Sequence, residues 1–202
     1  MITPGSFLTQ KHPIQLDIDA PLEIARWRII GNVILAIPHF IVLYVMVIVL
    51  NVFTFIAWFA ILFTGNIPRG MFDFMAAVFR YQWRISSFTL FMRSSYPAFD
   101  LKASDVDTGN DPASVTIPYP DRLSRGLIFI KWLLIIPTNL VLVFVGIAAE
   151  VVIVVAWFAV LFTGRWPSSM RKFIVGVQRW GLRSQAYVFL MTDKYPPFTL
   201  EP

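Results

Sequence analysis

The sequence predicts a mostly α-helical integral membrane protein made of two tandem, like-oriented repeats, and three observations predict it. Hydrophobic residues make up 57% of the chain and charged residues 14%, against about 25% charged in an ordinary soluble domain. Two runs are almost free of charge: Ile29–Thr64 has no Lys, Arg, Asp or Glu, and Trp132–Thr163 has Glu150 alone. Both exceed the roughly 18 apolar residues that mark a membrane-crossing candidate. Finally, "WFAILFTG" at Trp58–Gly65 returns 99 residues later as "WFAVLFTG" at Trp157–Gly164, with one position changed.

That register holds without a gap from Ile18–Leu101 onto Ile117–Leu200, with about a third of positions identical. Shared positions include Pro21/Pro120, Arg26/Arg125, Pro38/Pro137, Pro68/Pro167, Arg80/Arg179, Arg84/Arg183 and Tyr96-Pro97/Tyr195-Pro196. Duplication accounts for this. The expected organisation is a tail over 1–13, repeat 1 over 14–101, a polar linker over 102–114 and repeat 2 over 115–202.

Each repeat opens on an alternating segment, clear at Ile14–Ile18 and weaker at Ser114–Tyr119, and period-two alternation predicts extended chain. Each closes on "YPAFDL" or "YPPFTL", where proline forbids helix. A small sheet built from these ends, outside the bilayer, is expected.

The apolar run of repeat 1 would be about 54 Å long as one helix, against a hydrocarbon core of about 30 Å. It is either a hairpin that enters and returns, or one long tilted helix. Asn51 and Glu150, the intramembrane polar residues, share one repeat position near the middle of the two runs, where a hairpin would turn. All 17 Lys and Arg lie outside the runs, so two hairpins put every positive charge on one face. That distribution is what the positive-inside rule predicts for a protein of the inner (cytoplasmic) membrane with both termini cytoplasmic. Two long helices would instead force Arg80 and Arg84 into the return crossing, at about 2.5–3.5 kcal/mol each. Four short crossings are therefore expected.

The runs end at Thr64 and Thr163, with Gly65 and Gly164 placed as helix C-caps and Pro68 and Pro167 three residues later. Trp58 and Trp157 read as interfacial anchors. A second helix follows at Met71–Met92 and Met170–Met191. Asp73, Arg80, Arg84 and Ser87 share one face of it, and Lys172, Arg179 and Arg183 repeat the stripe. Phe72, Phe79, Trp83 and Leu90 cover much of the rest. Such a helix is expected to lie in the membrane interface with its cations on anionic headgroups.

The block Trp-Phe-Ala-x-Leu-Phe-Thr-Gly, the following proline and the terminal Tyr-Pro-x-Phe resemble domain-of-unknown-function family 4389, over about Ile14–Pro202. The resemblance implies a prokaryotic membrane protein with tandem copies of one unit, and it implies no activity.

No cysteine is present, and His12 and His39, the only histidines, lack carboxylates at ligand spacing, so neither a metal nor another cofactor is expected. No phosphate loop or nucleophile elbow appears, and the arginines sit among membrane-seeking aromatics. These features predict a non-catalytic scaffold or accessory subunit rather than an enzyme or a nucleic-acid-binding protein. Its partners would be anionic membrane lipids or a membrane protein complex, contacted through Arg80, Arg84, Arg179, Arg183, Lys172 and Trp83. The alternative is a small transporter or channel, for which Glu150 is the discriminating residue.

Overall fold

The computed structural model describes residues 12–99 and 111–201, so the expected tail before His12 and most of the linker lie outside the described residues. In chain order these are β1 (Gln15–Ile18), α1 (Arg28–Leu35), α2 (Ile37–Thr64), α3 (Arg69–Thr89), β2 (Ala113–Thr116), α4 (Leu127–Leu134), α5 (Ile136–Thr163) and α6 (Ser168–Val188).

Neither apolar run is a hairpin. α2 and α5 are each one unbroken helix of 28 residues, with Asn51 and Glu150 inside them. The reason is local. Between Pro38 and Gly65 the chain has neither glycine nor proline, and between Pro137 and Gly164 it has Gly146 alone, which a helix tolerates, so neither run carries a turn-forming sequence. The Asn51 amide is satisfied within the helix, donating to the Val47 carbonyl at 2.7 Å. The break comes earlier, at Ala36 and Ile135, one residue before each Ile-Pro pair. Pro38 has no N–H for the carbonyl four residues back, yet Phe40 still donates to the Ala36 carbonyl at 3.0 Å, so the helix bends and resumes. α2 and the combined α4–α5 rod, Leu127–Thr163, are long and apolar enough to cross a membrane.

The runs end as expected. Gly65 and Gly164 hold φ of 81° and 72°, where a side chain would be strained, and their N–H groups close on Ile61 and Val160. α3 and α6 begin and end two or three residues earlier than their sequence suggests, because Pro68 and Pro167 serve as N-caps. At their far ends Phe91 and Leu190 adopt positive φ, 45° and 63°. Met92 N–H returns to the Ser87 carbonyl and Met191 N–H to Ala186, both at 2.9 Å, giving each helix the same Schellman ending. Phe91 is held in that conformation by stacking on Trp166, whose indole donates to the Phe91 carbonyl.

The sheet joins the opening segments of the two repeats, not their ends. β1 and β2 pair antiparallel, with Leu16 opposite Val115. These two residues occupy the same repeat position, so the pair lies on a pseudo-twofold axis. Contacts across it are reciprocal: Ile24 N–H donates to the Gly164 carbonyl at 2.8 Å and Leu123 N–H to Gly65 at 2.9 Å. Each strand packs on the helix of the other repeat, β1 on α6 and β2 on α3. Three sides of α3 meet different partners. Arg84 faces the chain leading into β2, Phe79 faces Phe189 beyond α6, and Phe74 and Tyr81 face Phe53 and His39 of α2. The molecule is thus layered: sheet, then α3 beside α6, then α2 and α5.

Candidate functional site: a cationic groove beside β1

The arginine stripe does not face outward. Arg80, Arg84, Arg179 and Arg183 are all buried, and so is Trp83. In repeat 2 the reason is visible in the hydrogen bonds. β1 gives one edge to β2, which leaves the alternate carbonyls of Ile14, Leu16 and Ile18 without strand partners. Arg183 Nε donates to Ile14 (3.3 Å), Arg179 Nε to Leu16 (2.9 Å) and Arg171 Nη2 to Ile18 (3.3 Å). An open strand edge is a template for unwanted pairing, and guanidinium donors close this one. Arg179 and Arg183 also hold the closing segment, donating to the Leu200 and Glu201 carbonyls at 3.0 Å. Trp83 donates to the Asp17 carbonyl at 2.9 Å. In repeat 1, Arg84 lies 3.9 Å from Asp111, which also receives a bidentate pair from Arg93.

The expected basic face on an in-plane helix is therefore replaced by an internal lattice of cation–carbonyl bonds. A wheel plot cannot tell a polar face that meets water from one that meets another strand's carbonyls.

Burial disfavours the charged forms of Arg171, Arg179 and Arg183. Desolvation pushes Arg183 down to about 10, with the neighbouring Arg179 adding to the effect. Arg171 and Arg179 are also pushed below the usual arginine value by burial, opposed by the field of Asp17.

Beside this lattice lies a cavity of about 710 Å³, bounded by Asp17–Leu22, the first half of α6 and the closing residues Leu200 and Glu201. Its cations are Arg171, Lys172 and Arg179, and Ile18, Leu22, Phe173 and Val175 supply an apolar floor. None of the three cations has a carboxylate oxygen within 4.0 Å among the described residues. Gly176 lets the closing wall approach, since a Cβ there would lie 2.8 Å from the Leu200 carbonyl oxygen. The sequence marked Lys172 and Arg179 but not Arg171, whose counterpart Phe72 hid it from any repeat comparison.

At the same positions in repeat 1 the described residues pack differently. Arg171 and Ala20 correspond to Phe72 and Tyr119, whose rings meet edge to face at 5.0 Å. Lys172 corresponds to Asp73, which is neutralised by Arg69 at 3.1 Å. Among the described residues, an aromatic pair and a neutralised carboxylate stand in repeat 1 where repeat 2 has a cavity lined by cations.

The remaining marked residues lie on α2 and α5. Trp58 is half-buried and meets Phe129 of α4 edge to face at 5.2 Å. Trp157 is half-buried at the matching place in α5. Asn51 and Glu150 are exposed at the middle of their helices, on the flank of the buried seam. Two pins were missed because they look ordinary in sequence. Asn32 on α1 donates to the Phe88 carbonyl at 2.8 Å, and its counterpart Lys131 on α4 donates to Thr192 and pairs with Asp193, both at 2.7 Å.

A family model described as a domain of unknown function, DUF4389, matches residues 26–100 and again residues 125–199. No curated protein and no solved structure matches the chain. With most of its length inside two tandem copies of that domain, the chain belongs to the DUF4389 family.

Proposed function

We propose that this is a non-catalytic protein integral to a membrane, which holds the head of an anionic lipid in the groove beside β1. The observation that carries the reading is the opened and charged site of repeat 2. Arg171, Lys172 and Arg179 line a cavity large enough for an organic ligand, and among the described residues no carboxylate oxygen lies within 4.0 Å of them, although Asp17 and Glu201 also line it. A phosphate or carboxylate head offers guanidinium groups the charge-assisted, bidentate partner that backbone carbonyls do not. The apolar floor accepts the start of an acyl chain. The exposed apolar surfaces of α2 and α5 seat the protein among lipids, and a groove that holds a lipid head supports a scaffolding or accessory role within a membrane. The concentration of Lys and Arg outside the apolar runs favours the cytoplasmic face of an inner membrane.

The test transplants repeat 1 into repeat 2. Ala20→Tyr with Arg171→Phe should fill the groove as Tyr119 and Phe72 fill its counterpart. Purified protein and variant are assayed for retained phosphatidylglycerol by native mass spectrometry, with soluble glycerol phosphate as a competitor. The reading expects stoichiometric lipid on the parent, lost by tenfold or more in the variant. Displacement by glycerol phosphate alone would assign the site to a soluble anion instead. Equal retention by both proteins would refute the groove as the site.

A further inference from the structure

We infer that α2 and α5 lie flat in a single leaflet, and that neither crosses the bilayer. This rests on the membrane reading above and specifies the surface involved: the outward faces of α2 and α5, covered by the acyl region of one leaflet.

The argument is geometric. A twofold rotation leaves height along its axis unchanged, so Gly65 and Gly164 lie at one height. Ile24 is hydrogen-bonded to Gly164 at 2.8 Å and therefore shares it. Hence the stretch from Ile24 to Gly65, which contains all of α1 and α2, begins and ends level. α2 has 28 residues, about 42 Å of helix at 1.5 Å per residue. The turn after Ile24 and the eight residues of α1 can offset at most about 20 Å of rise. α2 is therefore within about 30° of perpendicular to the axis, and by symmetry so is α5.

Two placements in a membrane follow. If the axis stands along the membrane normal, α2 and α5 run flat and antiparallel, and neither rises through the core of about 30 Å. If they cross, the axis must lie in the membrane plane and the repeats become inverted. In that case Gly65 and Gly164 reach opposite interfaces, and the axis between them falls at the bilayer centre. The sheet, which the axis pierces at Leu16 and Val115, would then sit at the same depth. Asp17 and Ser114 are exposed on that sheet. A two-stranded sheet with exposed polar side chains has no place in hydrocarbon.

The flat placement has no such cost. α2 buries a narrow seam, His39, Met46, Leu50, Ala57 and Ile61, against the layer above. Opposite it, Ile37, Ile41, Ile48, Val52, Phe55 and Phe59 are all exposed. α5 repeats this face with Ile136, Leu140, Ile147, Val151, Val154 and Phe158. Both faces point away from the sheet, so one leaflet covers both while the sheet and the groove's charges remain toward water. An ordinary in-plane helix keeps a polar face to water; here α3 and α6 take its place.

The chain has no cysteine, so single-cysteine scanning needs no background removal. Spin labels at Ile37→Cys, Ile48→Cys and Phe59→Cys, all exposed, are read for oxygen and nickel-chelate accessibility in phosphatidylglycerol/phosphatidylcholine vesicles. One common depth within the first leaflet is expected at all three. Asn66→Cys and Arg165→Cys should react with an impermeant maleimide from the same side. A depth profile running from one headgroup region to the other, with positions 66 and 165 labelled from opposite sides, would overturn the inference and leave the membrane reading standing. Protein that fails to float with vesicles would overturn both.

Discussion

Repeat 1 and repeat 2 share a backbone plan and a third of their residues, yet they have divided the labour. Their caps, kinks and helix endings coincide residue for residue: Gly65 with Gly164, Ala36 with Ile135, Phe91 with Leu190. They part at the start of the second helix. Phe72 is completely buried against Tyr119, whereas Arg171 donates to the Ala20 carbonyl at 2.7 Å and opens onto a cavity. Conformation is constrained twice because the twofold packing needs both copies. Chemistry is constrained once, since a ligand site can be kept in one copy while the other is turned into core.

The comparison can be broken hardest at Phe72. Phe72→Arg reproduces the repeat 2 residue in a site whose other half, Tyr119, leaves it no room. A buried cation without a partner costs about 3–5 kcal/mol, so the variant should melt far below the parent in detergent. If it melts normally, the two sites are more alike than their packing implies. Next come the shared caps. Gly65→Ala and Gly164→Ala each force a side chain into left-handed backbone, at roughly 1–2 kcal/mol. Near-equal losses in thermal melts are expected, and a clear inequality would show that one copy alone carries the fold.

A smaller effect separates binding from stability. Lys172→Asp copies Asp73 without an arginine at position 168 to pair with it, and Lys172 is exposed. Melting should be unchanged, while the salt-sensitive part of lipid retention falls by about threefold to tenfold. The smallest concerns His12, whose Nδ1 accepts from the Ile14 N–H at 3.2 Å. Burial, with Arg183 adding, lowers its pKa to about 4. The folded state disfavours its protonation, so its contribution is complete above pH 6.5 and declines as pH falls from 6.5 toward 4. Melting temperature in that window should drop less for His12→Asn than for the parent.

Much was legible in the residues. Duplication, the ends of both apolar helices, their glycine caps and the extended opening of each repeat follow from local rules: proline lacks a donor, glycine alone takes left-handed backbone cheaply, and alternation marks strand. Those rules act within a few residues of chain, so one sequence suffices to apply them. The hairpins and the outward arginine face were misread for a common reason, because both depended on what a polar side chain meets in space. Asn51 looked like a turn and turned out to be an amide satisfied one helical turn back. Arg179 and Arg183 looked exposed on an outward face, whereas they are buried and cap the free edge of a strand more than 160 positions away in the chain. The sequence by itself determined where helices stop and that the unit occurs twice. Only the tertiary structure decided that the two copies meet about a pseudo-twofold axis at Leu16 and Val115, levelling the ends of α2 and turning one of two equivalent positions into a groove. Those outcomes depend on contacts between the copies, which no spacing within either copy encodes.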